Sequence, residues 1–548
     1  MTNTNTTDSN ARKKALTDRI MLRWQAAQAE RGPWLGLWQQ MADYVRPNRS
    51  TVKGRMDAPS LAGFESVFDG TAISANMTLA SGCMSRLTPA QTPWFAFDPP
   101  RELRQSDAAK RWYAECSEIA LEALATSNFY TELHEAYLDR GAFGTCCLHV
   151  EGTMKHPLNF KAHDIGTYAF LNGADGMVDT VFRELTYTAR EAAQVYEVKE
   201  LPECLQRVLL EPGSSQQGER HDFLHVIYPR EDAERDGSKM DGANKPIASV
   251  HIHVKTRTIV RVGGYEEMPT IGSRYLRWGT GAYGICPTWQ ALPEARQLNE
   301  LQKNLDVLAE VAAFPRLLLP DDMEGEVDLR ATGTTYFKDP NRVPREWLTQ
   351  GRYDVGLDRV KARQEAIKSA FHVELFQMWA AITKQMTAYE VGERAQEKVE
   401  LFSPTFTLLS TEMYGPILRR VFSLLMRQGV FPMPPEEAVH QNERGMWAVS
   451  DPKLRYTSRL ALALKAVNNQ ALNRVLGMMG PVMQFNPAVA DNLNWDVAMR
   501  DIALNEGVPV EWMPSEDEVG QLRKARAEAQ MQAEGMAAGG PQGAGGAK

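Results

Sequence analysis

A pair of long predicted helices, separated by an irregular segment, constrains the fold of this chain more than any other feature of its sequence. The first helix is predicted over residues 287–313, because Pro287 suits a first helical turn and Pro315 stops a helix. At about 1.5 Å per residue, such a helix is roughly 40 Å long. The second helix is predicted over residues 357–383. Together they describe a two-helix stalk.

The irregular segment between the helices is residues 314–356. It contains prolines and two strand-like pieces, Arg316–Leu319 and Thr334–Phe337. Beyond the stalk, a bend near Lys384–Met386 is followed by Thr387-Ala388-Tyr389-Glu390, which fits a capping box and begins a third helix. We therefore predict a small mixed lobe at the tip of the stalk and a change of direction at its base.

Each stalk helix has one narrow apolar stripe at helical spacing. The stripes consist of Leu298, Leu301, Leu305, Leu308 and Ala312 in the first helix, and of Val360, Ile367, Phe371, Leu375, Met378 and Ile382 in the second. An isolated pair of such helices buries little apolar surface. The stripes therefore predict that several copies of the stalk pack side by side.

The chain before the stalk divides into a helical and a β-rich part. Residues 1–14 are polar and predicted to be disordered, and residues 15–143 are predicted to be helical, with Pro33 starting a second helix and Gly141 ending the last. Over residues 144–286 the apolar period changes to two, which predicts strands. These are Gly144–Val150, Asn159–Ala162, Tyr168–Leu171, Val178–Tyr187, Phe223–Tyr228, Ile247–Val254, Thr258–Val262 and Tyr275–Trp278, interrupted by a helix at Ala189–Val198.

The chain after the stalk is predicted to be helical. One helix is expected over Leu408–Gln428 with Gly429 as its stop, and residues 453–527 are expected to be helical again. The Gly/Ala-rich end is predicted to be flexible. The fold class predicted for the whole chain is α+β, mainly helical.

Charge and composition exclude several classes of function. The net charge of −8 has the wrong sign for a protein that holds nucleic acid tightly through its phosphates, but not for one that lets DNA slide past. No apolar run approaches the roughly 18 residues of a membrane span. The six cysteines show no C-x-x-C and no regular spacing, so we expect reduced thiols and a cytosolic protein without membrane contact.

Residues 279–284 form a G-x-G-x-x-G pattern, which has two interpretations. A dinucleotide site needs these glycines between a strand and a helix, with a second strand and an acidic residue further on. Here Pro287 and a long helix follow instead. The favoured interpretation is a flexible joint before the stalk, and the alternative is a nucleotide-binding enzyme that processes nucleic acid.

The histidines and cysteines do not predict a metal centre or a catalytic site. His251 and His253 share one face of a strand, but two ligands alone do not hold a metal, and Cys146 and Cys147 point to opposite faces. No nucleophile elbow, Walker A loop or H-E-x-x-H motif is present. We therefore predict no catalytic residue, metal or cofactor.

Many short motifs, in order over roughly residues 20–525, resemble the head-to-tail connector, or portal, proteins of short-tailed bacteriophages. The sharpest is Met386-Thr387-Ala388-x-Glu390-Val391-x-x-Arg394. The others are Arg31-x-x-Trp34, Trp38, Tyr44-x-x-Pro47, Phe68-Asp69-Gly70-Thr71-Ala72, Leu79-Ala80-Ser81-Gly82, Leu87-Thr88-Pro89, Trp94-Phe95, Tyr283-Gly284-x-x-Pro287, Leu298-Asn299, Glu412-x-x-x-Pro416-Ile417, Gly429, Pro432-x-Pro434, Tyr456-x-Ser458-x-Leu460-Ala461 and Gly507-Val508-Pro509.

The resemblance implies the portal fold, a ring of subunits around a DNA channel. Its parts would be a wing with a helical portion (15–143) and a β-rich portion (144–286), a stem of two helices (287–313 and 357–383), a small α/β clip (314–356), a channel-facing bend with wing helices (384–429), a helical crown (430–515) and a C-terminal helix with a flexible tail (516–548).

The resemblance also implies roles for individual side chains. The channel would be lined by Lys384, Arg394, Lys398, Arg363 and Lys368. The stem interface between subunits would contain Leu298, Leu301, Leu305 and Leu308. The clip would dock the packaging motor and the tail adaptors through Arg316, Tyr336, Lys338, Arg342, Arg345 and Trp347.

The function implied is a passive gate rather than an enzyme. A ring, expected to be a dodecamer, would sit at one capsid vertex of the virion after assembly in the host cytoplasm, and double-stranded DNA would pass through it during packaging and ejection. The implied partners are the terminase large subunit, tail adaptor and tube proteins, and the major capsid and scaffolding proteins. A structural scaffold that never meets DNA remains a further alternative.

Overall fold

The computed structural model describes most of the chain, and the account below concerns those residues alone. They are residues 3–49, 51–52, 67–153, 155–211, 215–231, 235, 239, 241–314, 317–319, 345–346, 353–378, 402–441, 447–458, 496, 499–500, 513 and 516–538. Within them the chain is α+β and mainly helical, as predicted. No helix in these ranges is long and apolar enough to span a bilayer.

The helices include the first predicted stalk helix with the bounds expected from sequence. They are α1 (Asn3–Val45), α2 (Thr71–Leu87), α3 (Asp107–Thr126), α4 (Phe129–Phe143), α5 (Ala189–Val195), α6 (Glu203–Leu210), α7 (Pro287–Ala313), α8 (Tyr353–Ala370), α9 (Val373–Met378), α10 (Gly415–Arg427) and α11 (Glu516–Ala538). Residues 402–409 are also helical and lead into α10 through a π-helical turn, Ser410–Tyr414.

The strands form one five-stranded sheet, one three-stranded sheet and four two-stranded pairs, all antiparallel. They are β1 (Phe95–Asp98), β2 (Thr145–Glu151), β3 (Asn159–His163), β4 (Tyr168–Asn172), β5 (Val178–Thr188), β6 (Arg220–Pro229), β7 (Ile247–His253), β8 (Thr258–Tyr265), β9 (Thr270–Arg274), β10 (Leu276–Arg277), β11 (Gly284–Ile285), β12 (Leu317–Leu318), β13 (Arg345–Glu346), β14 (Val439–Gln441), β15 (Trp447–Val449) and β16 (Lys453–Tyr456). The pattern of period two found the long strands, whereas β9 and the helix α6 were missed.

The chain divides into two compact units, one of Met1–Ser85 with Ser127–Arg420 and one of Arg86–Thr126 with Val421–Lys548. In the first unit the five-stranded sheet has the order β4-β5-β6-β7-β8, and the three-stranded sheet has the order β3-β2-β9. The core of the larger sheet is covered by one face of α1, to which Ile20, Met21 and Ala27 contribute. A helix whose apolar residues lie on one face packs that face against a core in this way.

The N-terminal helix differs from the prediction, because α1 continues through Pro33 and starts at Asn3 instead of Ala15. Proline normally breaks a helix since it lacks an N–H donor. Here the helix is held on both sides of Pro33. Arg31 donates hydrogen bonds to the backbone oxygens of Gly166 and Tyr168, and the Trp38 side chain beyond the proline is fully buried. Tertiary contacts therefore keep one continuous helix where local sequence predicts two.

The end of α4 was also predicted wrongly, since Gly144 and not Gly141 ends the helix. Gly144 has φ of +79°, and its N–H donates to the carbonyl of Arg140. Gly141 lies inside α4, where a Cβ would come within 2.2 Å of Asn76 Oδ1. Gly141 therefore allows close packing between helices, and Gly144 provides the left-handed cap.

The second unit is organised around the antiparallel pair β1 and β16. The α3 helix packs on this pair, with the Ser117 hydroxyl accepting a hydrogen bond from the Phe97 N–H at 2.8 Å. Tyr113 donates to the carbonyl of Ser450 at 2.7 Å. The prediction of helix throughout residues 453–527 is therefore wrong at its start, because residues 453–456 pair with β1.

The second stalk helix ends earlier than predicted. The α8 helix stops at Ala370, and His372 adopts a left-handed φ of +53° before α9 begins at Val373. The turn is held by the fully buried Phe371. The predicted bend at Lys384–Met386 and the capping box that follows it lie outside the described residues.

Candidate functional site

The two stalk helices pack against each other within the chain. Leu305 of α7 lies against Gly356 of α8, where a Cβ would come within 2.5 Å of Leu305 Cδ2. Further along, Arg363 donates to Glu294 Oε2 at 2.5 Å. Since rising residue numbers in α7 meet falling numbers in α8, the helices are antiparallel. They form the two-helix hairpin that the sequence predicted.

The base of the hairpin is tied to the segment that precedes α2. The Asn299 side chain accepts hydrogen bonds from the N–H groups of Phe68 and Asp69, at 2.7 and 3.1 Å, and donates to the carbonyl of Ala295. The Asp69 carboxylate also accepts from Gln364 at 2.8 Å. One short segment therefore connects α7 and α8 and ties the hairpin to the start of α2.

A groove with a volume of about 780 Å³ runs beside the base of the hairpin. Three arginines line it, of which Arg296 and Arg359 are exposed and Arg363 is partly buried. Its remaining wall is provided by Tyr44, Leu292, Pro293, Gln297, Glu300, Leu301 and Asn304. The groove therefore combines apolar side chains with three arginines and the carboxylate of Glu300.

The four leucines predicted for the stem interface fall into two classes. Leu298 and Leu305 are only 1% and 6% exposed within the single chain, so their burial does not depend on a neighbouring copy. Leu301 and Leu308 are partly exposed, and Val307, absent from the predicted set, is 52% exposed. Leu298 and Leu305 therefore pack inside the single chain, Leu305 against Gly356 of α8.

The predicted channel cations are only partly described. Arg363 and Lys368 both lie on α8, with Arg363 paired to Glu294 and Lys368 exposed. Lys384, Arg394 and Lys398 lie outside the described residues.

The predicted clip is described at two short strands. Leu317–Leu318 pairs with Arg345–Glu346, so the first strand-like piece is a strand and its partner includes Arg345. The second strand-like piece, Thr334–Phe337, lies outside the described residues. So do Arg316, Tyr336, Lys338, Arg342 and Trp347 of the predicted docking set.

The glycine-rich loop at 279–284 lies just before α7, where the sequence predicted a joint. It links β10 to β11, and Tyr283 within it is completely buried, with its hydroxyl accepting from the Phe170 N–H. The Ala282 N–H donates to Glu30 Oε1 at 3.0 Å. These contacts anchor the loop between two strands, whereas a pyrophosphate cradle needs its glycines in the turn that leads from a strand into a helix.

The histidines of the β-rich region gather in a buried cluster that sequence reasoning did not foresee. His225 and His251 stack with ring centroids 3.9 Å apart. His149 lies 6.5 Å from His225 and 6.0 Å from His163. Within the described ranges, no group of three or more His, Cys, Asp or Glu is arranged to hold a metal ion.

A buried ion pair between Arg274 and Glu412 was also missed. The side chains are 2% and 1% exposed, with Arg274 Nη2 donating to Glu412 Oε1 at 2.6 Å. The two residues are separated by 138 positions in the sequence. Local patterns cannot pair residues so far apart, although Glu412 does fall in one of the motifs that carry the family resemblance.

The residues of those motifs meet one another in the structure. Tyr283 contacts Trp34 and Trp38 with ring centroids 5.8 and 5.0 Å apart. Asn299 holds Phe68 and Asp69, as described above. The motifs therefore specify joints between distant elements more than a chemical centre.

Comparison with known proteins identifies the family. The sequence model described as "Bacteriophage head to tail connecting protein" matches residues 17–513. A "Probable portal protein" of Bordetella phage BPP-1 is 29% identical over 526 residues, covering 94% of this chain and 92% of the relative. A "Portal protein" of Salmonella phage epsilon15 is 27% identical over 540 residues, covering 96% and 94%.

Among solved structures, a chain of "Neck of empty GTA particle computed with C6 symmetry" covers 77% of this chain and 90% of its own length. Its sequence identity is 13% and its TM-score 0.35, which is too low to compare the folds in detail. The family match spans nearly the whole chain. The chain belongs to the family of bacteriophage head to tail connecting proteins.

Proposed function

We propose that this chain is the subunit of a phage portal, a ring through which double-stranded DNA enters the capsid and later leaves it. The observation that carries this proposal is the match of portal proteins along almost the entire chain, over 94% and 96% of its length. A match confined to one domain would leave the function open. A match of this extent includes the hairpin, both sheets and the chain beyond them.

The antiparallel hairpin α7–α8 supports the assignment of a stem. Its buried side is occupied by Leu298 and Leu305, while Val307, Leu301 and Leu308 leave apolar surface accessible. In a closed ring each subunit presents one side of this hairpin to a neighbour, which makes the interface heterologous. We assign residues 287–313 and 357–383 to the stem and the accessible apolar positions to the contact between stems.

The remaining parts of the portal architecture follow the same proposal. The wing consists of residues 15–143 and 144–286, and the clip of residues 314–356. The bend at the channel, with wing helices, is residues 384–429. The crown is residues 430–515, and the C-terminal helix and tail are residues 516–548. The clip would dock the terminase large subunit during packaging and tail adaptor and tube proteins afterwards, while capsid and scaffolding proteins surround the wing.

The charge of the chain suits a conduit. Every subunit carries a net charge of −8, so a ring accumulates negative charge and repels the phosphates of DNA. A few cations would touch the duplex without arresting it. We place Lys384, Arg394 and Lys398 in this role, with Arg363 and Lys368 as further candidates. The protein acts as a passive gate, and the motor supplies the work.

The proposal is tested by the assembly state of the purified full-length chain. Native mass measurement and negative-stain images are expected to give a closed ring, with a dodecamer as the expected stoichiometry, and a central hole wide enough for duplex DNA. Only monomers or dimers under all conditions, or a closed particle without a hole, would contradict the proposal.

A packaging assay separates a portal from a scaffold that never meets DNA. Lys384→Gln and Arg394→Gln are expected to reduce DNA retention in filled heads while ring yield stays unchanged. Lys524→Gln, on the exposed face of α11, serves as a control of equal charge change. Loss of rings and of DNA in equal measure would remove the channel role from this bend.

A further inference from the structure

Four histidines lie buried where the two sheets of the first unit meet. His149 on β2 and His163 on β3 belong to the three-stranded sheet, while His225 on β6 and His251 on β7 belong to the five-stranded sheet. All four are at most 9% exposed. The chain of ring contacts 163–149–225–251, with centroids 6.0, 6.5 and 3.9 Å apart, crosses from one sheet to the other.

The hydrogen bonds of His225 suit a neutral imidazole. His225 Nδ1 lies 3.4 Å from Arg183 Nη1, and its Nε2 lies 2.9 Å from Ser249 Oγ. Because a guanidinium can only donate, Nδ1 of His225 must accept, and the ring proton is on Nε2. A second proton on Nδ1 would place two N–H groups against each other and lose this bond.

His251 and His163 are also poor hosts for a proton. His251 Nδ1 lies 3.0 Å from the Tyr196 hydroxyl, and its ring is stacked on His225 at an interplanar angle of 11°. His163 Nε2 is buried without a hydrogen-bond partner. Two stacked imidazolium ions repel each other, and a charged ring without a partner loses its hydration.

The positive charges around the cluster increase this cost, and one carboxylate offsets it at His149. Arg183 on β5 is partly buried, lies beside His225, and its positive charge lowers the pKa values of all four rings. Glu151 is the counter-charge near His149, with its Oε1 2.9 Å from His149 Nε2 and 2.7 Å from the Tyr265 hydroxyl. The other charges that act on these rings are Lys161 on β3, Arg261 on β8, and Arg420 on α10, which is paired with Glu267.

We propose that this histidine cluster is an acid-sensitive joint, which holds the two sheets together at neutral pH and releases them when protons enter it. The joint is built into the single chain and does not depend on the proposed role as a portal. Released, it would free β2 and β9, and β9 carries the Arg274 that is bonded to the helical segment around Glu412. Acid would thereby loosen the connection between the sheets and the helices beyond them.

The direction of the pH dependence follows from the histidines being neutral in the closed state. Burial lowers the pKa of His251 to about 3, and lowers the pKa values of His163 and His225 well below the usual 6.5. In the open state these rings regain ordinary pKa values. The closed state therefore has its full stability above about pH 6.5 and loses stability as the pH falls below that value. For each histidine that takes up a proton, the equilibrium constant for opening rises about tenfold per pH unit.

Amide hydrogen exchange of the full-length protein at about pH 7.5, 6 and 5 tests this proposal. After correction for the intrinsic pH dependence of exchange, peptides covering β2 and β9 are expected to open more readily at each step into acid. Peptides from the second unit, such as those of α3, provide the internal reference. Unchanged protection of β2 and β9 from pH 7.5 to 5 would overturn the proposal.

A pair of matched substitutions assigns the effect to the cluster. His163→Phe removes a titrating ring that makes no hydrogen bond through Nε2, while His156→Phe makes the same change at an exposed position. Between about pH 6 and pH 5, we expect the opening equilibrium of His163→Phe to rise by roughly tenfold less than that of the wild type. We expect His156→Phe to behave as the wild type. Should His163→Phe not fold, His251→Gln, which keeps an acceptor for Tyr196, takes its place. Equal slopes in wild type and the cluster variant would refute the assignment.

Discussion

Arg274 and Glu412 are joined by hydrogen bonds from both the side chain and the backbone of the arginine. Arg274 Nη2 and the Arg274 N–H donate to the two carboxylate oxygens at 2.6 and 2.8 Å. The guanidinium also donates to the carbonyls of Gly281 and Gly176. The pair therefore fixes the π-helical turn Ser410–Tyr414 to the last strand of the three-stranded sheet and to the hairpin that follows it.

Glu412→Gln is expected to destabilise the protein by about 3–5 kcal/mol, because it leaves the buried guanidinium without its counter-charge. Urea unfolding followed by tryptophan fluorescence measures this loss. Replacing both partners, as Arg274→Met with Glu412→Met, is expected to cost less than Glu412→Gln alone, since no uncompensated charge remains.

Arg277→Gln is the matched control for the ion pair. Arg277 approaches the same carboxylate at 3.4 Å, but its side chain is 45% exposed. Water screens such a contact, so its loss is expected to cost less than about 1 kcal/mol. A loss as large as that of Glu412→Gln would mean that the cost does not depend on burial of the charge.

Sequence patterns predicted the regular elements well where local signals decide them. The helix α7 has the predicted ends, because proline chemistry sets its start and a proline follows its end. The alternation of apolar residues found β2 to β8. Sequence patterns failed where distant contacts decide, as at Pro33 inside α1 and at β16, which forms a strand through its pairing with β1.

The candidate site was less predictable for the same reason. The apolar stripes predicted the two-helix hairpin, but they did not predict that Leu305 packs against Gly356 of the same chain. His149 and His225 contact each other across two sheets whose relative packing no local pattern encodes. The separation of buried from accessible leucines thus required the structure.

Gly144→Ala and Gly429→Ala form a test of crowding at two left-handed glycines. Both residues have positive φ, +79° and +69°. A Cβ on Gly144 would come within 2.3 Å of the carbonyl oxygen of Gly284, whereas nothing lies within 4 Å of one on Gly429. We expect a loss of about 1 kcal/mol at Gly429 and at least about 3 kcal/mol at Gly144, measured by urea unfolding. Equal losses would show that backbone strain alone matters.

Leu305 and Leu308 are expected to separate folding from assembly. Leu305 is 6% exposed and packs inside the chain, so Leu305→Ala should cost about 2–5 kcal/mol of stability. Leu308 is partly exposed on α7, so Leu308→Asp should leave the thermal transition of the subunit nearly unchanged but prevent ring formation. Size-exclusion chromatography with light scattering measures the assembly. Intact rings with Leu308→Asp would remove Leu308 from the proposed interface between stems.

The six cysteines are all free thiols, and they are expected to differ sharply in reactivity. Cys204 is exposed, whereas the other five are buried. Burial raises the pKa of Cys83, Cys146 and Cys286 to about 12, so at pH 8 only about one molecule in ten thousand holds any one of them as the reactive thiolate.

A chromogenic disulfide reagent at pH 8 should therefore label one thiol rapidly and the others only after unfolding. Cys204→Ser should abolish the rapid phase and lower the total number of thiols that react in denaturant by one equivalent. A second rapid equivalent in that variant would place one of the five buried cysteines at the surface and would contradict its burial in the folded chain.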